Sequence, residues 1–382
     1  MNDLTRLLGD LVAIPSVNPM GRALSGPEML ETRLSAYLEN WFSDQGIPCQ
    51  RQPVAPGRDN LLARVDLPGA RRTLLFDVHQ DTVPTDGMTI GPFVPRVEGG
   101  RMYGRGACDI KGGMAAMLTA VARLARDRPA HAASVILACT VDEEFTHTGS
   151  SKLGQADLGV DLAIVAEPTR LDLVHCHKGA LRWRIRTRGV ACHSSTPELG
   201  VNAIYRMSHV LTALIEYADM LDETTSDPLV GPPTLSVGRI EGGQSVNTVP
   251  DWCEIEIDRR LIPGEDPAEA LADVRSFVSN WLGSTEGVEF GDPWVSMPAL
   301  VPRAEKWLGP IQEVVARVRG TEPNVVGVPY GTDAGPLGAS GLPCLVFGPG
   351  NIAQAHTRDE WVELEQVAQA AEAYYEIACA LG

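Results

Sequence analysis

The chain lacks any apolar run near the roughly 20 residues a helix needs to cross a bilayer, and it is poor in basic charge. Its 32 Lys and Arg stand against 49 Asp and Glu, a formal net charge of -17. A surface of that sign repels nucleic acid and anionic membranes. It still admits a small anionic substrate, because bound cations can set the field of a site. The eight cysteines form no CxxC pair. Several lie inside apolar runs, where a free cysteine behaves as a small hydrophobe. That usage fits a reducing compartment, most simply the cytoplasm. There is no GxSxG elbow, which argues against a serine hydrolase of that kind. Internal repeats and low-complexity tracts are missing too. The first residues have no basic start, and Asp3 and Asp10 break the apolar pattern. They therefore read as an amphipathic helix ending before Pro15 and not as a signal peptide.

What is present is an apolar fraction of 44% over 382 residues, enough for a large core and for two domains. The first part alternates helix and strand signals: helices over 29–45 and 112–126, strands over 60–65, 73–78, 134–141 and 161–166. This rhythm predicts an α/β fold, a mainly parallel central sheet flanked by helices. The character changes near Gly179. Residues 180–188 alternate apolar and basic side chains, as a half-exposed strand does. A helix over 202–221, strands over 233–240 and 253–261 and a helix over 266–282 follow, a small α+β unit with helices on one face of an antiparallel sheet. From Pro302 the first rhythm returns. The expectation is a discontinuous domain of residues 1–179 and 294–382, interrupted by an inserted domain of residues 180–293.

Four of the apolar runs end in residues that ligate metals. Residues 73–78 lead to His79 and Asp81, residues 134–141 to Asp142, Glu143 and Glu144, residues 161–166 to Glu167, and residues 344–347 to His356. The carboxyl ends of strands in an open α/β sheet converge on one crevice. Imidazole and carboxylate donors gathered there suit a cation such as zinc. Singly, each signal has an ordinary reading. His79 fits a satisfied core histidine, Asp109 in GRGACDIKGG a helix cap, and the acid run a solvated loop. GRGACDIKGG also lacks the second glycine directly before Lys111 that a phosphate loop carries. The constellation outweighs its parts. Asp109, Glu144 and Glu167 bring three negative charges, and a bridging hydroxide a fourth, which two zinc ions balance. A carboxylate shared through Asp109 would hold two ions about 3.5–4 Å apart. Asp81, two residues beyond His79, is placed to hydrogen-bond the other ring nitrogen of that histidine. The remaining histidines, 131, 147, 175, 177 and 209, receive no role and read as surface or packing residues.

HQDTVP, GRGACDIKGG, TVDEE, VAEPT and AHTRDE, in this order and at these spacings, resemble the zinc-dependent metallopeptidase family of acetylornithine deacetylase, succinyl-diaminopimelate desuccinylase, aminoacylases and glutamate carboxypeptidase. The resemblance covers nearly the whole chain. It implies a zinc-peptidase-like fold with two Zn2+ per subunit, for which Co2+ or Mn2+ can substitute. His79, Asp109 and Glu167 would hold one ion, and Asp109, Glu144 and His356 the other. Asp81 would orient His79, Glu143 would be the general base, and the Asp109–Ile110 peptide would be cis. The insertion corresponds to the family's lid and dimerisation domain. Its His193 would reach a neighbouring subunit's site in a homodimer and help bind the oxyanion. Asn247, Arg260, Gly331 and Thr332 would contact substrate, with Arg260 suited to a bidentate grip on a carboxylate.

The implied reaction is hydrolysis of an amide bond in an N-acyl-L-amino acid. A dipeptidase or carboxypeptidase of the same family, and a catalytically inactive metal-bearing binding protein, are the alternatives. SVNP at 16–19 and HSSTPELGVNAI at 193–204 look closest to the deacetylase and desuccinylase branch. Desuccinylases usually carry an Arg-Arg-Gly segment and a Thr-Ser-Asp loop. This chain has His177-Lys178-Gly179 and Thr332-Asp333-Ala334, which favours an N-acetyl or other N-acyl amino acid.

Overall fold

The computed structural model of the protein describes residues 3–382. It contains two compact units. The first comprises Met1–His175, Leu300–Gly327 and Thr332–Gly382, the second Cys176–Ala299 and Val328–Gly331. These divisions fall a few residues from 179 and 294, and the short return at Val328–Gly331 had no sequence signal.

The first unit is built on a twisted sheet whose middle is parallel. Strand Thr73–His79 lies between Ser134–Thr140 and Leu162–Val165, and Cys344–Val346 lies beyond the latter. All of these neighbours run parallel, in registers that pair His79 with Thr140, Asp77 with Val165 and Val346 with Val165. Antiparallel strands continue the sheet on both sides, Arg58–Val65 and Cys49–Ala55 on one and Leu173–His177 on the other. These flanking strands give the sheet a more mixed character than the apolar runs alone suggest.

The period-two geometry of a strand sends alternate side chains to opposite faces. Leu74, Phe76 and Val78 enter a core with Leu118 and Val121 of helix Gly112–Asp127, Tyr374 of helix Leu364–Ala380, and Leu34 and Phe42 of helix Thr32–Asp44. Leu75 points the other way, beside Leu153 and Leu337 of the short helices Thr148–Gly154 and Ala334–Ala339. Burying a side chain such as Phe76, which is fully enclosed, contributes about 1.5–3 kcal/mol. A second, three-stranded sheet of Arg96–Glu98, Arg101–Tyr103 and Trp361–Glu363 ties residues near 360 to those near 104.

In the second unit, Thr234–Gly242, Trp252–Leu261 and Gly179–Arg188 form an antiparallel sheet, extended by Val288–Phe290 and Val295–Met297. Leu181, Trp183, Ile185, Ile255 and Ile257 pack under helices Ala203–Thr224 and Pro267–Leu282. The second helix starts where its sequence says it should. Asp266 accepts hydrogen bonds from the N–H groups of Ala268 and Glu269, and Pro267 occupies the first turn, so orphan donors are satisfied and φ is preset. The opposite sheet face is a ladder of ion pairs. Arg182, Arg184 and Arg186 stand directly across from Asp258, Glu256 and Glu254, at 2.7, 2.8 and 2.7 Å.

Candidate metal centre

The parallel registers bring His79, Glu143, Glu144 and Glu167 to one end of the sheet. His79 is almost fully buried, and its Nδ1 lies 3.0 Å from the main-chain oxygen of Asp81. A carbonyl can only accept, so Nδ1 carries a proton and Nε2 is the nitrogen turned to the site. Nε2 is 3.1 Å from Asp109 Oδ1 and 4.0 Å from Glu167 Oε1.

The ring of His79 is therefore oriented by the backbone of Asp81, not by its carboxylate as the sequence led us to expect. That carboxylate lies 3.7 Å from Nδ1 because it is engaged elsewhere. It accepts the main-chain N–H of Glu143 and of Glu144, each at 3.1 Å, and the Asn18 amide at 2.8 Å. Asp81 thereby fixes the turn that presents both glutamates.

Asp109 sits in a tight turn, Ala107–Lys111, before helix Gly112–Asp127, and its peptide bond to Ile110 is cis. The turn hangs on one buried carboxylate. Glu360 Oε1 accepts the main-chain N–H groups of Cys108 and Asp109, and Oε2 accepts the main-chain N–H of Gly106 and the guanidinium Nη1 of Arg105, at 2.7–3.0 Å. Gly106 has a left-handed φ of 79°, and a Cβ there would stand 2.7 Å from Thr82, so the turn closes only around glycine. Held this way, Asp109 divides its two oxygens. Oδ1 faces His79, and Oδ2 lies 3.3 Å from His356 Nε2, which is in turn 3.1 Å from Glu144 Oε2.

The ligand atoms of His79, Asp109 and Glu167 lie within 4.8 Å of one another, as do those of Asp109, Glu144 and His356. Two triads thus share one aspartate. The electrostatics fit cations in both. Burial drives the carboxyls of Glu143, Glu144 and Glu167 above their usual range, and neighbouring acids add to the effect. Burial alone would push both imidazoles down. Hydrogen bonding to Asp109 and the surrounding acids outweigh it, so His79 rises and His356 goes up to about 11. Asp109 resists its own burial and is held low by the two imidazoles. Without metal, these groups compete for protons; divalent cations supply the positive charge that lets the carboxylates stay ionised and the imidazoles neutral.

The other sequence-predicted residues stand as follows. In the first unit, Thr332 is fully buried and its Oγ1 accepts the N–H of Ala334 at 3.1 Å. In the second unit, His193 is exposed. Its Nδ1 accepts the N–H of Ser195 at 3.2 Å, which leaves the proton of a neutral ring on Nε2. The N–H of Ser194 donates to the carbonyl of Asn247 at 3.1 Å, so the His193 and Asn247 loops are neighbours. Arg260 Nε donates to Asp258 at 2.6 Å. Gly331 has no room for a side chain, because a Cβ would lie 1.8 Å from Met297.

Sequence reasoning missed Glu360 and passed over His147. His147, read as a surface or packing residue, is buried, and with Glu143 and Asp333 it forms a third group of potential ligands. The i, i+4 spacing of Glu143 and His147 was the available signal.

The profile of peptidase family M20/M25/M40 matches residues 75–380. Acetylornithine deacetylase from Pectobacterium carotovorum subsp. carotovorum is 33% identical over 365 residues, 92% of this chain and 91% of that protein. The same enzyme from Pectobacterium atrosepticum gives the same identity and coverage. Among solved structures, an M20 family metallo-carboxypeptidase from Sulfolobus solfataricus superposes with a TM-score of 0.80 at 19% identity, covering 100% of this chain and 99% of that one. A dinuclear metal binding peptidase of the M20 family from Bacillus subtilis gives 0.71 at 18%, covering 98% and 96%. Shared fold, a family match over most of the length and donor triads at the sheet's carboxyl end agree: the chain belongs to peptidase family M20/M25/M40 and is a hydrolase of amide or peptide bonds.

Proposed function

We propose that the protein is a dinuclear zinc amidohydrolase that removes the acyl group from an N-acyl-L-amino acid, as an acetylornithine deacetylase does. The placement of Glu143 carries this reading. Its carboxylate is buried beside the two triads but belongs to neither, with Oε2 4.0 Å from His79 Nε2. A ligand would be inside a triad; a base for water has to be next to one. The identity of 33% to acetylornithine deacetylases over nearly the full length supports the acyl-amino-acid class.

His79, Asp109 and Glu167 would hold one ion, and Asp109, Glu144 and His356 the other. Bound there, zinc, or cobalt or manganese in its place, would supply Lewis acidity toward water and the scissile carbonyl. Glu143 takes the proton of the attacking water and later delivers it to the leaving nitrogen. Asp81 keeps Glu143 and His79 in place through the contacts given above. His193 offers its Nε2–H as a hydrogen-bond donor to the oxyanion, across a homodimer formed through the inserted unit. Asn247, Arg260, Gly331 and Thr332 bind the substrate. With Nε of Arg260 held by Asp258, its two terminal nitrogens are the pair offered to a carboxylate. All eight cysteines are free, in keeping with a cytoplasmic enzyme. No helix among the described residues is long and apolar enough to cross a membrane.

The test is a panel of N-acyl amino acids, dipeptides and C-terminally blocked peptides on zinc-reconstituted protein, with amine release measured. The reading predicts the highest kcat/KM for an N-acetyl amino acid, Nα-acetyl-L-ornithine among them. Preference for unblocked dipeptides would replace it with a dipeptidase, and no turnover of any member with two metals bound would point to a binding protein.

A further inference from the structure

The imidazole of His147 is buried between two carboxylates and belongs to neither metal triad. Its Nδ1 lies 3.3 Å from Asp333 Oδ1 and 3.7 Å from Glu143 Oε1. Asp333, itself enclosed, accepts the Thr140 hydroxyl at 2.8 Å through its other oxygen. Two acceptors face one ring nitrogen, so that nitrogen carries a proton. The two oxygens of Glu143 are thus differentiated, Oε1 toward His147 and Oε2 toward the His79 side of the metal centre.

The ring has little freedom to leave. His147 adopts a left-handed φ of 54°, and its N–H donates to the Asp142 carbonyl at 2.8 Å. The hydroxyls of Thr146 and Thr148 on either side both donate to the Asp142 carboxylate. One residue later, a Cβ on Gly149 would stand 2.2 Å from the Val141 carbonyl. The loop is therefore pressed onto the end of its strand.

We infer that His147, seated by Asp333, is a positioning residue that fixes the rotamer of Glu143 and so aims one oxygen of the general base at the attacking water. The inference rests on Glu143 being the base. A glutamate has three side-chain torsions, and a base that must meet a water within about 3 Å gains from having one oxygen tethered. The separation of 3.7 Å is longer than a hydrogen bond, and catalytic contacts that are long in a free enzyme often tighten only when substrate is in place. A histidine that merely filled space would not need its nitrogen shared between two acids.

The experiment compares wild type, His147→Ala, His147→Gln, Glu143→Gln and the double variant Glu143→Gln/His147→Ala. All are zinc-loaded and assayed with Nα-acetyl-L-ornithine, with zinc counted by elemental analysis. For His147→Ala, kcat is expected to fall about 10–100-fold, as for other residues that orient a catalytic group, with KM and zinc content kept. His147→Gln, which retains an N–H donor, should recover part of the loss. On the Glu143→Gln background His147→Ala should cost nothing more, because the path it acts through is already gone. Crystals of zinc-loaded His147→Ala give a readout that needs no turnover: the Glu143 carboxylate should rotate or occupy two rotamers. An unmoved Glu143 in those crystals overturns the inference, as does an unchanged kcat beside an inactive Glu143→Gln, an equal loss on both backgrounds, or a fall in zinc content. Wild-type turnover by Glu143→Gln would instead overturn the assignment of the base.

Discussion

The protein handles charge in two opposite ways, one in each unit. On the outer face of the second unit's sheet, Arg182, Arg184 and Arg186 each meet an acid on the neighbouring strand. The chain supplies both signs, and half-exposed side chains leave water to screen the rest. At the carboxyl end of the first unit's sheet, Asp109, Glu143, Glu144 and Glu167 are gathered with two imidazoles and no arginine or lysine in either triad. One set of charges is complete without a ligand; the other is complete only when cations arrive. Crowded acids that outnumber the basic groups beside them are therefore the better guide to function, because folding alone gives no reason to collect them.

The contrast can be broken most directly by removing metal. Chelation should abolish activity altogether and leave the arginine ladder intact, so the second unit's far-ultraviolet circular dichroism should persist; zinc should restore turnover. Glu143→Gln comes next, with a loss of at least about 100-fold in kcat and both metals retained by elemental analysis. Retained turnover would remove Glu143 from the role of general base. A pH effect of smaller size separates the two regions further. His356 is raised from 6.5 to about 11 in the metal-free site, so its contribution to stability is complete below about pH 6.5 and is lost as pH climbs toward 11. The raised carboxyls of Glu143 and Glu167 act in the same sense. Chelated protein should therefore melt at a lower temperature at pH 9 than at pH 6, whereas zinc binding, which needs deprotonated ligands, should strengthen over the same interval. The smallest effect belongs to the ladder. Arg184→Ala breaks an exposed pair and should cost no more than about 1 kcal/mol in a denaturant titration, with activity unchanged.

Much of this was legible before the fold. Apolar runs ending in His79, Glu143, Glu144 and Glu167 could be read as strand ends, because burial explains the run and nothing in a core explains its terminus. The alternation in residues 180–188 likewise gave a sheet with one dry and one charged face. Other features were hidden for a physical reason: they act through main-chain groups or across long separations. Glu360 holds the Asp109 turn through backbone N–H groups some 250 positions away, and no pattern in the sequence marks which carboxylate will do so. Asp81 was placed near the right partner but with the wrong group, since its carboxylate is drawn to the N–H groups of Glu143 and Glu144 while its carbonyl meets His79. His147 read as one more surface or packing histidine. Only the seating of Asp333 against Thr140 shows that the ring is enclosed between acids.

The central claim is that one aspartate joins two cation sites. Anomalous diffraction from zinc-soaked crystals, with zinc counted in the wild type and in Asp109→Ala, tests it most directly. The account predicts two peaks flanking Asp109, about 3.5–4 Å apart, and a loss of both metals in the variant. A single peak, or a variant that keeps its full zinc complement, would contradict it.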